Sequence, residues 1–120
     1  MKPLNILVVD DSPQFQLIAS YLIKSLPCVV RTAGSVADAV ELALDEVPDL
    51  IFSDIIMPEQ NGFDLAKSVR THPELKDVIL VAVSNSDEDR VREEALKSGF
   101  DEFLPKPLSA DALKWILRHE

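Results

Sequence analysis

The chain is short of cysteine, histidine and positive charge, and each shortage excludes something. Its single cysteine, Cys28, cannot form an internal disulfide, so the fold must be held by a core and not by crosslinks. The two histidines, His72 and His119, have no metal-ligating company at a usable spacing. They read as a surface loop residue before Pro73 and a favourable charge at a helix end. Twelve Lys and Arg against 21 Asp and Glu give a formal net charge of −9. A surface so acidic argues against direct binding of nucleic acid or of an anionic membrane. No apolar run approaches the ~20 residues of a membrane-spanning helix, and Met1-Lys2-Pro3 lacks the apolar region of a secretion signal. A cytoplasmic protein is expected. What remains is 120 residues, 47% apolar and 28% charged, without repeat, linker or low-complexity stretch, and the expectation is one domain over residues 1–120.

Short apolar runs alternate with longer stretches of helical period, the pattern of parallel βαβ units. Strands are predicted at Asn5 to Val9, Val29 to Ala33, Asp49 to Ser53, Val78 to Val83 and Asp101 to Leu104. The first, third and fourth are almost continuously apolar, as strands covered on both faces must be, and so form the centre of the sheet. The fifth is short and ends in Pro105, which suits an edge. Ser12-Pro13 opens a helix whose apolar face carries Phe15, Ile18, Ala19 and Leu22. Ser35 and Ser86, each followed three residues on by aspartate, start helices that run to about Glu46 and Lys97. A shorter helix spans Phe63 to Arg70, Gly99 stops the fourth helix, and Ser109 caps the last.

In an open parallel sheet, sites form at the carboxyl ends of the strands. Asp10 and Asp11 follow the first strand, Asp54 the third, Ser84 the fourth and Lys106 the fifth. Right-handed crossovers set the first and third strands side by side, bringing three carboxylates into one crevice. Two unit charges ~4 Å apart cost roughly 4 kcal/mol at an effective dielectric of about 20, so the trio needs a cation or a raised pKa. Few oxygen ligands open to water suit Mg²⁺. With a lysine ammonium and a serine hydroxyl beside them, they describe a phosphoryl-transfer site with Asp54 as a candidate nucleophile.

Ile6-Leu7-Val8-Val9-Asp10-Asp11-Ser12, Pro48 to Asp54, Ile55-Ile56-Met57-Pro58, Asn61-Gly62, Ser84 and Lys106-Pro107 together resemble the receiver domain of two-component response regulators, the CheY-like family. The resemblance implies an α/β fold, a doubly wound (βα)5, flavodoxin-like three-layer sandwich with parallel sheet order 2-1-3-4-5. It further implies that Asp54 accepts a phosphoryl group from a phosphohistidine on a histidine kinase or phosphotransfer domain. Asp11, Asp54 and the backbone carbonyl of Ile56 would ligate Mg²⁺, with Asp10 acting through a metal-bound water. Lys106 would pair with the phosphoryl oxygens and Ser84 would move to hydrogen-bond one of them. Phe103 falls on the aromatic switch position, and the Lys106–Pro107 bond is expected to be cis. The state would be read on the face of the fourth helix, fifth strand and fifth helix by a downstream effector, or by a C-terminal output domain absent from this chain.

Several positions depart from the family pattern. Ser84 replaces the more frequent threonine, Asn85 a small residue, and Phe103 a frequent tyrosine, while Ile56 is unsuited to positioning water, which implies slow dephosphorylation. In the last helix, Leu113, Ile116 and Leu117 follow core spacing, and the resemblance sets Trp115 and Ile116 near the exposed output face. The alternative is a receiver-like docking or adaptor module that acts without phosphorylation. A flavodoxin-like cofactor domain would carry an uncharged loop in place of Asp10-Asp11, and a haloacid-dehalogenase-type phosphatase an Asp-x-Asp motif after its first strand.

Overall fold

The computed structural model describes residues 4–24, 28–55, 62–84, 89–106 and 109–119. Strands β1 (Leu4–Val9), β2 (Cys28–Ala33), β3 (Leu50–Asp54), β4 (Ile79–Ser84) and β5 (Glu102–Pro105) alternate with helices α1 (Pro13–Lys24), α2 (Val36–Asp45), α3 (Gly62–Thr71), α4 (Asp89–Ser98) and α5 (Ala110–His119). All pairings are parallel, in the order β2-β1-β3-β4-β5. The doubly wound, flavodoxin-like architecture that the resemblance implies is present, with each strand within a residue of the bounds predicted from the apolar runs. A 3-10 turn at Pro73–Leu75 was not anticipated. His72 precedes it, with Nδ1 2.7 Å from the Ser68 carbonyl, so this side chain is docked on the end of α3.

Period-two alternation divides the central strands between two cores. Leu7, Val9, Ile51, Leu80 and Ala82 pack with α2, α3 and α4 through Ala39, Ala43, Leu65, Val69 and Ala95. Ile6, Val8, Phe52, Val81 and Val83 face the other way and pack with Ala19 of α1 and Ile116 of α5. Ile116 corrects an expectation: it is wholly buried and takes no part in an exposed face. Helical spacing, which puts Ile116 on the core stripe, outweighs its alignment beside Trp115. Trp115 itself is 48% exposed. No helix among the described residues is long and apolar enough to cross a membrane.

The helix ends follow their capping chemistry. Ser12, Ser35 and Ser109 each accept a hydrogen bond from the backbone N–H three residues on. Helix α4 ends in a Schellman arrangement, with Phe100 N–H on the Ala95 carbonyl and Gly99 N–H on that of Leu96. Gly99 has φ +121°, which favours glycine. Ser86 lies outside the described residues, as do Ile56, Asn61, Asn85 and the Lys106–Pro107 bond.

Arg70 ties the far end of the sheet together. Its guanidinium donates to the carbonyls of Gly99, Lys76 and Val78 at 2.7 to 3.0 Å and to Asp101 Oδ2 at 2.8 Å. The same Asp101 oxygen accepts the Leu80 N–H. Exposed ion pairs contribute little, so the carbonyl bonds dominate. Arg70→Leu is expected to lower stability by about 2 kcal/mol, read as a lower urea midpoint with an unchanged m-value.

Candidate functional site at the carboxyl ends of the strands

Sheet register brings the candidate residues together. Val9 of β1 lies opposite Ser53 of β3, so the next residue of each chain, Asp10 and Asp54, comes out level. Asp54 is opposite Val83, immediately before Ser84, and Ser84 is opposite Pro105, immediately before Lys106. The Lys106 N–H donates to the Ser84 carbonyl at 2.8 Å, extending that ladder by one residue. Residues separated by up to 96 positions in sequence thus share one crevice.

One carboxylate oxygen from each of Asp10, Asp11 and Asp54 lies within 4.8 Å of the others. Asp10 is fully buried, Asp54 nearly so, and Asp11 exposed. Lys106 Nζ is 2.9 Å from Asp10 Oδ2 and 3.5 Å from Asp54 Oδ2. The other Asp10 oxygen, Oδ1, accepts the Ser12 N–H at 2.9 Å. Three carboxylates and one ammonium leave two formal negative charges in the crevice. That donor set of hard oxygens, open to water on the Asp11 side, fits a small divalent cation such as Mg²⁺.

Phe103, at 8% exposure, points into the core on the α4 side, beside Ala82 in register. The guanidinium of Arg92, from α4, lies 5.5 Å from its ring centroid. Ser84 is buried at the end of β4. Trp115 lies on α5. Cys28 packs against the α1/α5 core, and burial pushes its thiol up from the ordinary range, which fits a small apolar residue better than a nucleophile.

Three residues beside the crevice were given no contact with it from sequence. Gln16 donates through Nε2 to the backbone carbonyls of Asp10 and Ala33, bracing the loop after β1. Phe15, read only as part of an apolar stripe, has Lys106 Nζ 4.3 Å from its ring centroid. Gly62, at a sequence-visible turn, has its N–H 2.6 Å from the Ile55 carbonyl. A Cβ there would meet the Asp54 carbonyl oxygen at 2.5 Å and Ile55 Cα at 2.8 Å. The start of α3 is therefore in contact with the backbone that carries Asp54, and backbone atoms cannot yield as a flexible side chain would. Gly62→Ala is expected to cost about 1–3 kcal/mol, measured by chemical denaturation, and to shift the Asp54 amide resonance.

The family model for the response regulator receiver domain matches residues 6–118. The two-component response regulator ORR3 of Oryza sativa subsp. indica is 36% identical over 105 residues, covering 87% of this chain and 80% of that protein. The chemotaxis protein CheY4 of Vibrio cholerae superposes with a TM-score of 0.91 at 26% identity over 98% of both chains. The receiver domain of sensor histidine kinase PA1611 from Pseudomonas aeruginosa, solved with a magnesium ion coordinated in its active site cleft, superposes with a TM-score of 0.89 at 26% identity. That match covers 98% of this chain and 96% of the other.

Proposed function

The chain belongs to the response regulator receiver domain family of two-component signalling, and from that premise we propose that it is a phosphorylation-dependent switch with Asp54 as its phosphoacceptor. The observation that carries this reading is the crevice itself, where Asp10, Asp11 and Asp54 converge beside Lys106. On this reading an Asp54 carboxylate oxygen attacks the phosphorus of a phosphohistidine on a histidine kinase or phosphotransfer domain. The P–N bond breaks, and the imidazole leaves with the electron pair and takes up a proton. Hydrolysis reverses the gain: water attacks phosphorus, the bond to the Asp54 oxygen breaks, and inorganic phosphate departs. The protein is a cytoplasmic signalling switch rather than a metabolic enzyme, and residues 1–120 act as one receiver domain.

The side chains of Asp11 and Asp54, with the Ile56 backbone carbonyl, would hold Mg²⁺. Both Asp10 oxygens already accept protein donors, Ser12 N–H and Lys106, so Asp10 would act through a bound water. When bound, the ion supplies fixed positive charge facing the oxygens that gain charge during transfer. Lys106 neutralises the remaining side of the crevice and pairs with phosphoryl oxygens. Ser84 donates its hydroxyl to another oxygen. Phosphorylation adds charge and three strong acceptors at Asp54, which biases the Ser84 loop and Phe103 between two arrangements. The face of α4, β5 and α5, including Trp115, carries that bias to a downstream effector or an attached output domain.

One observation favours the second reading, a docking module that acts without phosphorylation: Phe103 already lies inward. Intact mass after incubation with Mg²⁺ and acetyl phosphate separates the two. Wild type is expected to gain a single phosphoryl group, whereas Asp54→Asn and a metal-free sample gain none. Labelling of Asp54→Asn equal to wild type sinks the assignment of the acceptor, and an unlabelled wild type that also resists a phosphorylated kinase leaves the docking module.

Mg²⁺ alone should raise the stability of the unphosphorylated protein by about 2–3 kcal/mol at a hundredfold excess over its Kd. Chelation should reverse the rise, and Asp11→Asn should lose most of it in thermal denaturation.

A further inference from the structure

We propose that Phe15 is a positioning residue for Lys106, its ring face holding the ammonium within reach of both Asp10 and the group on Asp54; the proposal rests on the reading of Lys106 as the partner of the phosphoryl oxygens. Four contacts close a loop. The Asp10 carboxylate accepts the Ser12 N–H at 2.9 Å, and the Ser12 hydroxyl oxygen accepts the Phe15 N–H at 3.2 Å. The Phe15 ring has Lys106 Nζ 4.3 Å from its centroid, and Nζ returns to Asp10 at 2.9 Å. The N-cap of α1 therefore fixes the ring relative to the same carboxylate that the lysine pairs with. The ring is partly buried and packs against the α1/α5 core, which limits its own freedom.

An aromatic face suits this task better than a charged group. Its attraction for a cation is electrostatic and spread over the ring face, so the ammonium keeps it through a small displacement above that face. A carboxylate in that place would hold the lysine back and add a further negative charge to a crevice that already carries an excess. An aliphatic side chain would fill the space and attract nothing. With the ring in place, Lys106 can turn from Asp10 towards a phosphoryl oxygen without leaving the crevice for water. Its side chain is only 14% exposed in the observed position. Phe15 touches no reacting atom on this account; it acts through Lys106.

The test compares Phe15→Leu, which removes the ring, with Phe15→Tyr, which keeps it. Phosphoryl incorporation from acetyl phosphate with Mg²⁺ is followed against time. Phe15→Leu is expected to be slower by about three- to ten-fold, and Phe15→Tyr to stay within about twofold of wild type. Equal rates for Phe15→Leu and wild type, or a Phe15→Tyr rate as low as that of Phe15→Leu, overturn the proposal. The second measurement needs no phosphorylation. In protein carrying ¹³C-lysine, the ε-methylene protons of Lys106, assigned by their absence in Lys106→Arg, should show an upfield ring-current shift in wild type and Phe15→Tyr that Phe15→Leu abolishes. Lack of that shift in wild type overturns the proposal even where labelling proceeds. A wild type that takes no label from acetyl phosphate or from a phosphorylated kinase but shows the shift overturns the phosphoacceptor reading and keeps Phe15 as the residue that holds Lys106.

Discussion

The ion pair between Lys106 and the fully buried carboxylate of Asp10 is the contact on which the crevice depends. A carboxylate removed from water is costly unless paired and hydrogen-bonded. Asp10 has both, with the lysine on one oxygen and the Ser12 N–H on the other. Asp10 is thereby satisfied within the protein, with Asp11 and Asp54 gathered beside it in the crevice. The pair also bridges four of the five strands, from the end of β1 to the residue after β5. The arrangement requires every strand between them to end at the right height, and the parallel register supplies that condition.

Much of this was legible in the residues. Continuous apolar runs marked the buried strands, serine caps marked helix starts, and the order of strand-end residues gathered Asp10, Asp11, Asp54, Ser84 and Lys106 before any geometry was available. These features are local or follow from topology, so sequence carries them. What sequence did not carry depends on distance between remote side chains. Periodicity placed Phe15 on an apolar face, but it could not tell that a lysine 91 positions later would lie over the ring. Asn61-Gly62 read as a turn, whereas the glycine is required by contact with the Asp54 backbone. Arg70 looked like the last charged residue of a helix, and only the fold reveals the carbonyls that it gathers.

Ile116 shows where two kinds of inference conflict. Its spacing with Leu113 and Leu117 is that of a core stripe, while resemblance set it beside Trp115. Burial follows the spacing, since one turn of helix cannot present adjacent residues to the same side. Phe103 offers the opposite lesson. Resemblance marked the position, but its inward setting against Ala82 and beneath Arg92 is a property of this packing. An arginine on α4 and an aromatic on β5 thereby join those two elements.

The half-exposed Trp115 has a practical consequence. It is the only tryptophan in the chain, and it stands on α5. Indole emission from this protein therefore comes from one helix alone, free of any second fluorophore of its kind. The molecule carries its own optical label on the surface of α5, so contact at that helix can be followed by light without attaching a dye.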